Sequence, residues 1–139
     1  MTNAFGCDAC YGADAATVWA SYRDGLSEEV VLVDESHLLI ALRRCRRCAQ
    51  AFVWIFTEAV DWDGGNDRQC RKIVPLTGDE VGALVGRRDG SRLGDQALLG
   101  DLGSLGEGRR YLYTDWPSDA PATQAGWTQG RFDIAEGYL

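Results

Sequence analysis

Cys45-Arg46-Arg47-Cys48-Ala49-Gln50-Ala51-Phe52-Val53-Trp54-Ile55-Phe56 sets a Cys-x-x-Cys turn directly before the strongest strand signal in the chain. Phe52, Trp54 and Phe56 alternate on one face, and Val53 and Ile55 on the other. Apolar character on both faces marks a central strand, or one covered on both sides. The strand pattern runs over residues 51–62. A second pair, Cys7-Asp8-Ala9-Cys10, lies upstream, with 34 residues between Cys10 and Cys45. In a tight knuckle, thiolates three residues apart can face one ion, and N–H groups of the turn can donate to the sulfurs. Two knuckles complete a tetrahedron. The pattern points to one zinc ion on Cys7, Cys10, Cys45 and Cys48. Four thiolates leave no open coordination position, so its expected role is structural.

Disulfide or redox use and iron–sulfur binding are the competing readings of these cysteines. There are five cysteines in all, an odd number that does not suit a secreted disulfide framework. A reducing compartment fits metal-bound thiolates better. The start of the chain has no apolar run, and the longest apolar stretches are too short to span a bilayer. A cytoplasmic protein without a membrane segment is the expectation.

Outward from the knuckles the pattern predicts short elements. Asp14 can cap a helix over 15–23 that ends at Gly25, with Trp19 and Tyr22 on one face. Residues 29–33 and 37–44 read as two strands joined by Asp34-Glu35-Ser36. The acidic, glycine-containing stretch 61–67 reads as a hairpin turn, and 69–76 as the returning strand. Pro75 suggests that this strand ends near an edge. Thr77-Gly78-Asp79-Glu80 has capping-box spacing and opens a helix over 78–88. Beyond residue 90, Leu93, Leu98, Leu99, Leu102 and Leu105 could stripe a glycine-interrupted helix. Residues 109–116 read as a last strand, and 118–139 as an extended tail. The expected fold is α+β: a small zinc-ribbon-like antiparallel sheet with two or three short helices and a loop-rich C-terminal part. The expected partition is a core over 1–90 and a glycine-rich extension over 91–139 that packs on it.

The formal charge of −7, and the −2 that a four-thiolate zinc site would add, disfavour a phosphate backbone as partner. Arg43, Arg44, Arg46 and Arg47 surround the second knuckle as an Arg43–Arg47 cluster. It reads either as a phosphate-binding patch or as compensation for the thiolates and for acids such as Asp34 and Glu35. Compensation is preferred, because residues 1–42 carry seven acids and one base. Cys70 reads as a small buried hydrophobe. A Cys70–His37 catalytic pair has no further sequence support. Asp61, Asp63 and Asp67 resemble a fragment of a calcium loop, but the glycine is misplaced and no terminal Glu follows. Ribbons often carry Gly directly after the second cysteine of a knuckle. Here Cys10 is followed by Tyr11-Gly12, and Cys48 by Ala49.

From Cys45 to about Leu84 the chain resembles a loosely defined group of uncharacterised bacterial zinc-ribbon proteins. The resemblance rests on Cys45-Arg-Arg-Cys48, Phe52-Val-Trp-Ile-Phe56, Asp63-Gly-Gly-Asn-Asp67, Arg71-Lys-Ile-Val74 and Leu76-Thr-Gly-Asp-Glu80. It implies the fold and the metal, and no activity. The leading functional expectation is a non-enzymatic, zinc-stabilised interaction module for a protein partner, such as an acidic immunity, inhibitor or adaptor protein. The alternatives are a nucleic-acid- or transcription-associated ribbon using Arg43–Arg47, and an enzyme using Cys70 or the Asp61–Asp67 carboxylates.

Overall fold

A computed structural model describes residues 5–35, 37–59, 68–86, 96–116, 124–132 and 134. The elements run α1 (Asp8–Tyr11), α2 (Ala15–Gly25), β1 (Leu26–Glu35), β2 (Leu38–Cys45), β3 (Ala51–Ala59), β4 (Arg68–Leu76), α3 (Gly78–Gly86), α4 (Gln96–Ser104), β5 (Arg110–Trp116) and β6 (Gln124–Gln129). The six strands form one antiparallel sheet in sequence order, so every strand pairs with its chain neighbour. The α+β class read from the sequence is therefore present.

β3 lies inside the sheet, and both of its faces are buried. Ala51, Val53 and Ile55 join a core with Leu38, Ile40, Leu42, Val74 and Leu76, closed by Leu84 of α3 and Leu98 and Leu102 of α4. Phe52 and Trp54 face the other way, with Ile73 and Leu112, under Tyr11 of α1 and Val18 and Tyr22 of α2. Two independent apolar layers explain why the strand reads as apolar on every residue from Ala51 to Phe56. Strand β1 differs: its register against β2 shifts at two bulges, between Glu28 and Val30 and between Val31 and Val33.

Several elements depart from the sequence expectation. β1 is longer than 29–33, because pairing with β2 extends to Leu26↔Cys45. The first knuckle is a helical turn, α1, which apolar periodicity cannot register over four residues. The expected tail contains strand β6, which pairs with β5 from Arg110↔Gln129 to Asp115↔Gln124. Pro75 lies in an inner strand, but β5 pairs with β4 only as far as Ile73↔Leu112. The missing N–H at Pro75 therefore meets no β5 partner. Residues 61–67, with the proposed turn and Asp61, Asp63 and Asp67, lie outside the described residues.

The capping box forms as spaced. The Thr77 N–H donates to Glu80 Oε1 at 2.8 Å, and the Glu80 N–H donates to Thr77 Oγ1 at 3.2 Å. Arg109, just before β5, grips the same carboxylate with both Nη atoms at 2.6 and 2.8 Å, and Nη1 also donates to the Pro75 carbonyl at 2.9 Å. This fork ties the start of α3 to the chain after α4. The Arg109 bonds, outweighing burial, hold the Glu80 carboxyl below its usual range. A group with a depressed folded pKa stabilises above its unfolded value, about 4.3 for Glu, and loses that contribution as pH falls through the folded value. Glu80→Gln is expected to cost roughly 1 kcal/mol at pH 7, given a solvent-screened cap and ion pair. Urea unfolding at pH 7 and pH 3 checks this, with the difference between the two proteins shrinking at pH 3.

Candidate metal centre

The four cysteines arrive from two directions. Cys7 sits at the N-cap of α1, and Cys10 in its first turn. The Cys10 N–H donates to the Cys7 sulfur, and the Cys7 N–H to Cys10 Sγ at 3.4 Å, a capping box made of thiols. Cys45 ends β2, and Cys48 follows in the turn to β3. That turn is closed by the Ala49 N–H on the Cys45 carbonyl at 2.9 Å and the Cys45 N–H on the Gln50 carbonyl at 2.8 Å.

The sulfur positions decide the chemistry. Cys7 Sγ lies 3.8 Å from Cys10 Sγ and 3.9 Å from Cys45 Sγ, and Cys10 Sγ lies 3.7 Å from Cys48 Sγ. All four ligand atoms fall within 4.8 Å of one another. A disulfide requires about 2.05 Å, so these are thiols in contact, not bonded pairs. A tetrahedron with metal–sulfur bonds of about 2.3 Å has edges of about 3.8 Å. The three short separations match that edge, so the donor set fits a single four-coordinate ion. Cys10 and Cys45 are buried, at 1% and 4% exposure, and Cys48 is exposed.

The electrostatics of the thiols are uneven. Burial opposes the Cys7 thiolate, but the N–H groups of Cys10 and Ala9 outweigh it and hold this thiol at about 7. Burial pushes the Cys10 and Cys48 thiols up, although the Gln50 N–H works against that at Cys48. A divalent cation would supply the missing positive charge for all four thiolates.

Two backbone positions make the knuckles possible. Gly6, immediately before Cys7, has φ +93°, and a Cβ there would lie 2.5 Å from Cys10 Sγ. Ala49, directly after Cys48, has φ +68°. The second knuckle thus adopts the left-handed geometry of a glycine-bearing knuckle with alanine in place, at a cost of about 1–2 kcal/mol. Part of this returns through the stiffer unfolded chain. Ala49→Gly is expected to stabilise by about 0.5–1 kcal/mol, read as a higher thermal midpoint. Gly6→Ala is expected to weaken metal retention in a chelator competition, because the added methyl meets a ligand sulfur.

The arginine run does not form one patch. Arg43 and Arg44 are adjacent on β2 and therefore point to opposite faces. Arg44 Nε donates to Glu29 at 2.6 Å, and Arg43 Nη2 to Glu28 at 3.4 Å. Arg46 and Arg47 are exposed in the knuckle turn. The acids that meet Arg43 and Arg44 are Glu28 and Glu29, across the β1–β2 ladder, and not Asp34 and Glu35. The other singled-out residues are separate from the sulfurs. His37 Nδ1 lies 3.1 Å from Glu58 Oε1. Cys70 is half-buried rather than buried, with Sγ 3.8 Å from Asp115 Oδ1.

Sequence reading missed what fastens α1 to the far side of the sheet. Tyr11 Oη donates to the Arg110 carbonyl and Arg110 Nη2 to the Tyr11 carbonyl, each at 2.7 Å. The Arg110 guanidinium also lies 3.8 Å from the Trp127 ring centroid and 4.2 Å from that of Tyr11. Tyr11 follows Cys10 directly, and that adjacency was the available signal. No protein-family model, curated protein or solved structure matches the chain. No helix among the described residues is long and apolar enough to cross a membrane.

Proposed function

We propose that the chain is a zinc-stabilised, non-enzymatic interaction module of zinc-ribbon type that binds a protein partner. The observation that carries this reading is the clustering of four thiol sulfurs at tetrahedral spacing. Such a set fills every coordination position of the ion, so the metal holds structure and leaves no site for substrate. Four thiolates in tetrahedral array suit zinc or iron rather than calcium or magnesium, and we take the ion to be zinc. The acidic balance points to a basic partner surface. β1 is an end strand of the sheet and exposes Glu28, Glu29, Asp34 and Glu35. An acidic sheet edge of this kind suits an inhibitor or adaptor that masks a cationic surface.

Two measurements test the reading. Elemental analysis of purified protein should return one zinc per chain; none, or another metal, sinks the zinc assignment. A partner recovered from the native source and reconstituted from purified components should lose at least tenfold in affinity with Glu35→Lys and with added salt. Binding indifferent to both overturns the acidic-edge reading.

A further inference from the structure

A second cluster lies on the α2 side of the sheet, apart from the sulfurs. A cavity of about 400 Å³ is lined by Trp19, Ala20, Tyr22 and Arg23 of α2, Arg43 of β2, Trp54 of β3 and Arg71 of β4. Three arginines from three elements thus meet in one hollow, and no carboxylate is among its described lining residues. In a chain of net charge −7 this is a local reversal of sign.

The guanidiniums are held by rings more than by acids. Trp19 and Trp54 stack, with centroids 5.8 Å apart and an interplanar angle of 28°. Arg43 Cζ lies 4.1 Å from the Trp54 centroid. Arg71 Cζ lies 5.4 Å from the Trp19 centroid and 4.9 Å from that of Phe56. Cation–π contact fixes a guanidinium by its face and leaves its N–H edges free to donate. One such edge is unspent at Arg43. Arg43 Nε is buried with no hydrogen-bond partner, and its one ion pair, to Glu28, is long at 3.4 Å. Arg71 makes no ion pair with a described residue and is half-buried beside Arg43. Burial, then the Arg43 charge, depress the Arg71 pKa, so like charges here are held together at a cost.

Two half-buried guanidiniums side by side, one with a buried Nε that has no hydrogen-bond partner, call for an anion. Planar forks match phosphoryl oxygens two at a time, and three positive charges suit a dianion better than a lone carboxylate. The volume lies in the range of small-molecule pockets. We propose that Arg23, Arg43 and Arg71, on the Trp19–Trp54 floor, form a binding site for a small phosphomonoester dianion. None of its side chains is one of the four cysteines, although the site needs α2 held on the sheet.

Calorimetry and tryptophan fluorescence with AMP, inorganic phosphate and adenosine test it. AMP is expected to bind and adenosine not. Inorganic phosphate binding as tightly as AMP means that the phosphoryl group alone is read; weaker phosphate binding means that the base contributes. Arg71→Gln and Arg43→Gln should each weaken AMP at least tenfold. Arg23→Gln, at an exposed position at the end of α2, should weaken it several-fold without altering the thermal midpoint. The proposal is overturned if neither AMP nor phosphate binds at millimolar concentration. It is equally overturned if adenosine binds as well as AMP, or if a folded Arg23→Gln and Arg71→Gln pair binds AMP as the unaltered protein does.

Discussion

Chelation of the metal is expected to abolish the cooperative thermal transition of this protein. Structural zinc on thiolates contributes about 10–16 kcal/mol in small domains, against a total stability of about 5–15 kcal/mol for a typical chain. Here the loss has a definite route. Cys10 and Cys45 are the buried ligands and belong to the same apolar cluster as Phe52, Ile73 and Leu112. Without the ion, four thiols remain at contact distance, two of them buried with little to replace the metal bond. α1 and α2 would then lift from the sheet and wet Trp19, Trp54 and Trp127. The expected readout is a red-shifted tryptophan emission and loss of the near-ultraviolet circular dichroism signal, reversed by adding zinc. Cys45→Ser should reproduce the effect without chelator. An unchanged melt after complete chelation is the result that contradicts it.

Phe52→Ala is expected to cost about 3–5 kcal/mol, the range for removing a fully buried phenylalanine. Phe52 is 0% exposed. It packs against Tyr22 with ring centroids 5.7 Å apart, and Tyr22 Oη donates to the Cys10 carbonyl at 2.8 Å. The phenyl ring thus supports the helix that supports the first knuckle. Its removal should lower the denaturation midpoint and speed metal loss to a chelator. Leu98→Ala, on the opposite core, gives the control. That residue is also 0% exposed and belongs to the other cluster. It should destabilise by about 2–5 kcal/mol with a smaller effect on metal loss relative to its cost in stability. Equal coupling of both variants to metal release would mean that the two layers do not act separately.

The layers account for what could be read from the chain. Period-two alternation in 51–56, the valines of β1 and the Thr77–Glu80 spacing are local signals, and each produced its element. The clustering of Cys7, Cys10, Cys45 and Cys48 followed from spacing alone, because a metal tetrahedron restricts which pairs can meet. What was not legible depends on distant partners. β6 has one tryptophan and small or polar neighbours, and becomes a strand because β5 offers it a ladder. α1 is too short for periodicity and owes its turn to mutual N–H···S bonds between Cys7 and Cys10. The Arg23–Arg43–Arg71 hollow joins a helix to two strands, and no window of sequence contains all three. The run Arg43–Arg47 drew the eye instead, although strand alternation sends Arg43 and Arg44 to opposite faces.

The strand order has a consequence for assembly. In a pure meander every ladder closes between sequence neighbours, so the sheet can grow strand by strand, with the connection that carries α3 and α4 crossed only between β4 and β5. The ligand sulfurs all lie within residues 7–48, upstream of β3. During synthesis the metal-binding set is therefore complete before four of the six strands exist. An ion captured then would hold α1, α2, β1 and β2 together as a template edge. The late-arriving β5 and β6 would then lock it by the Tyr11–Arg110 exchange across 99 residues.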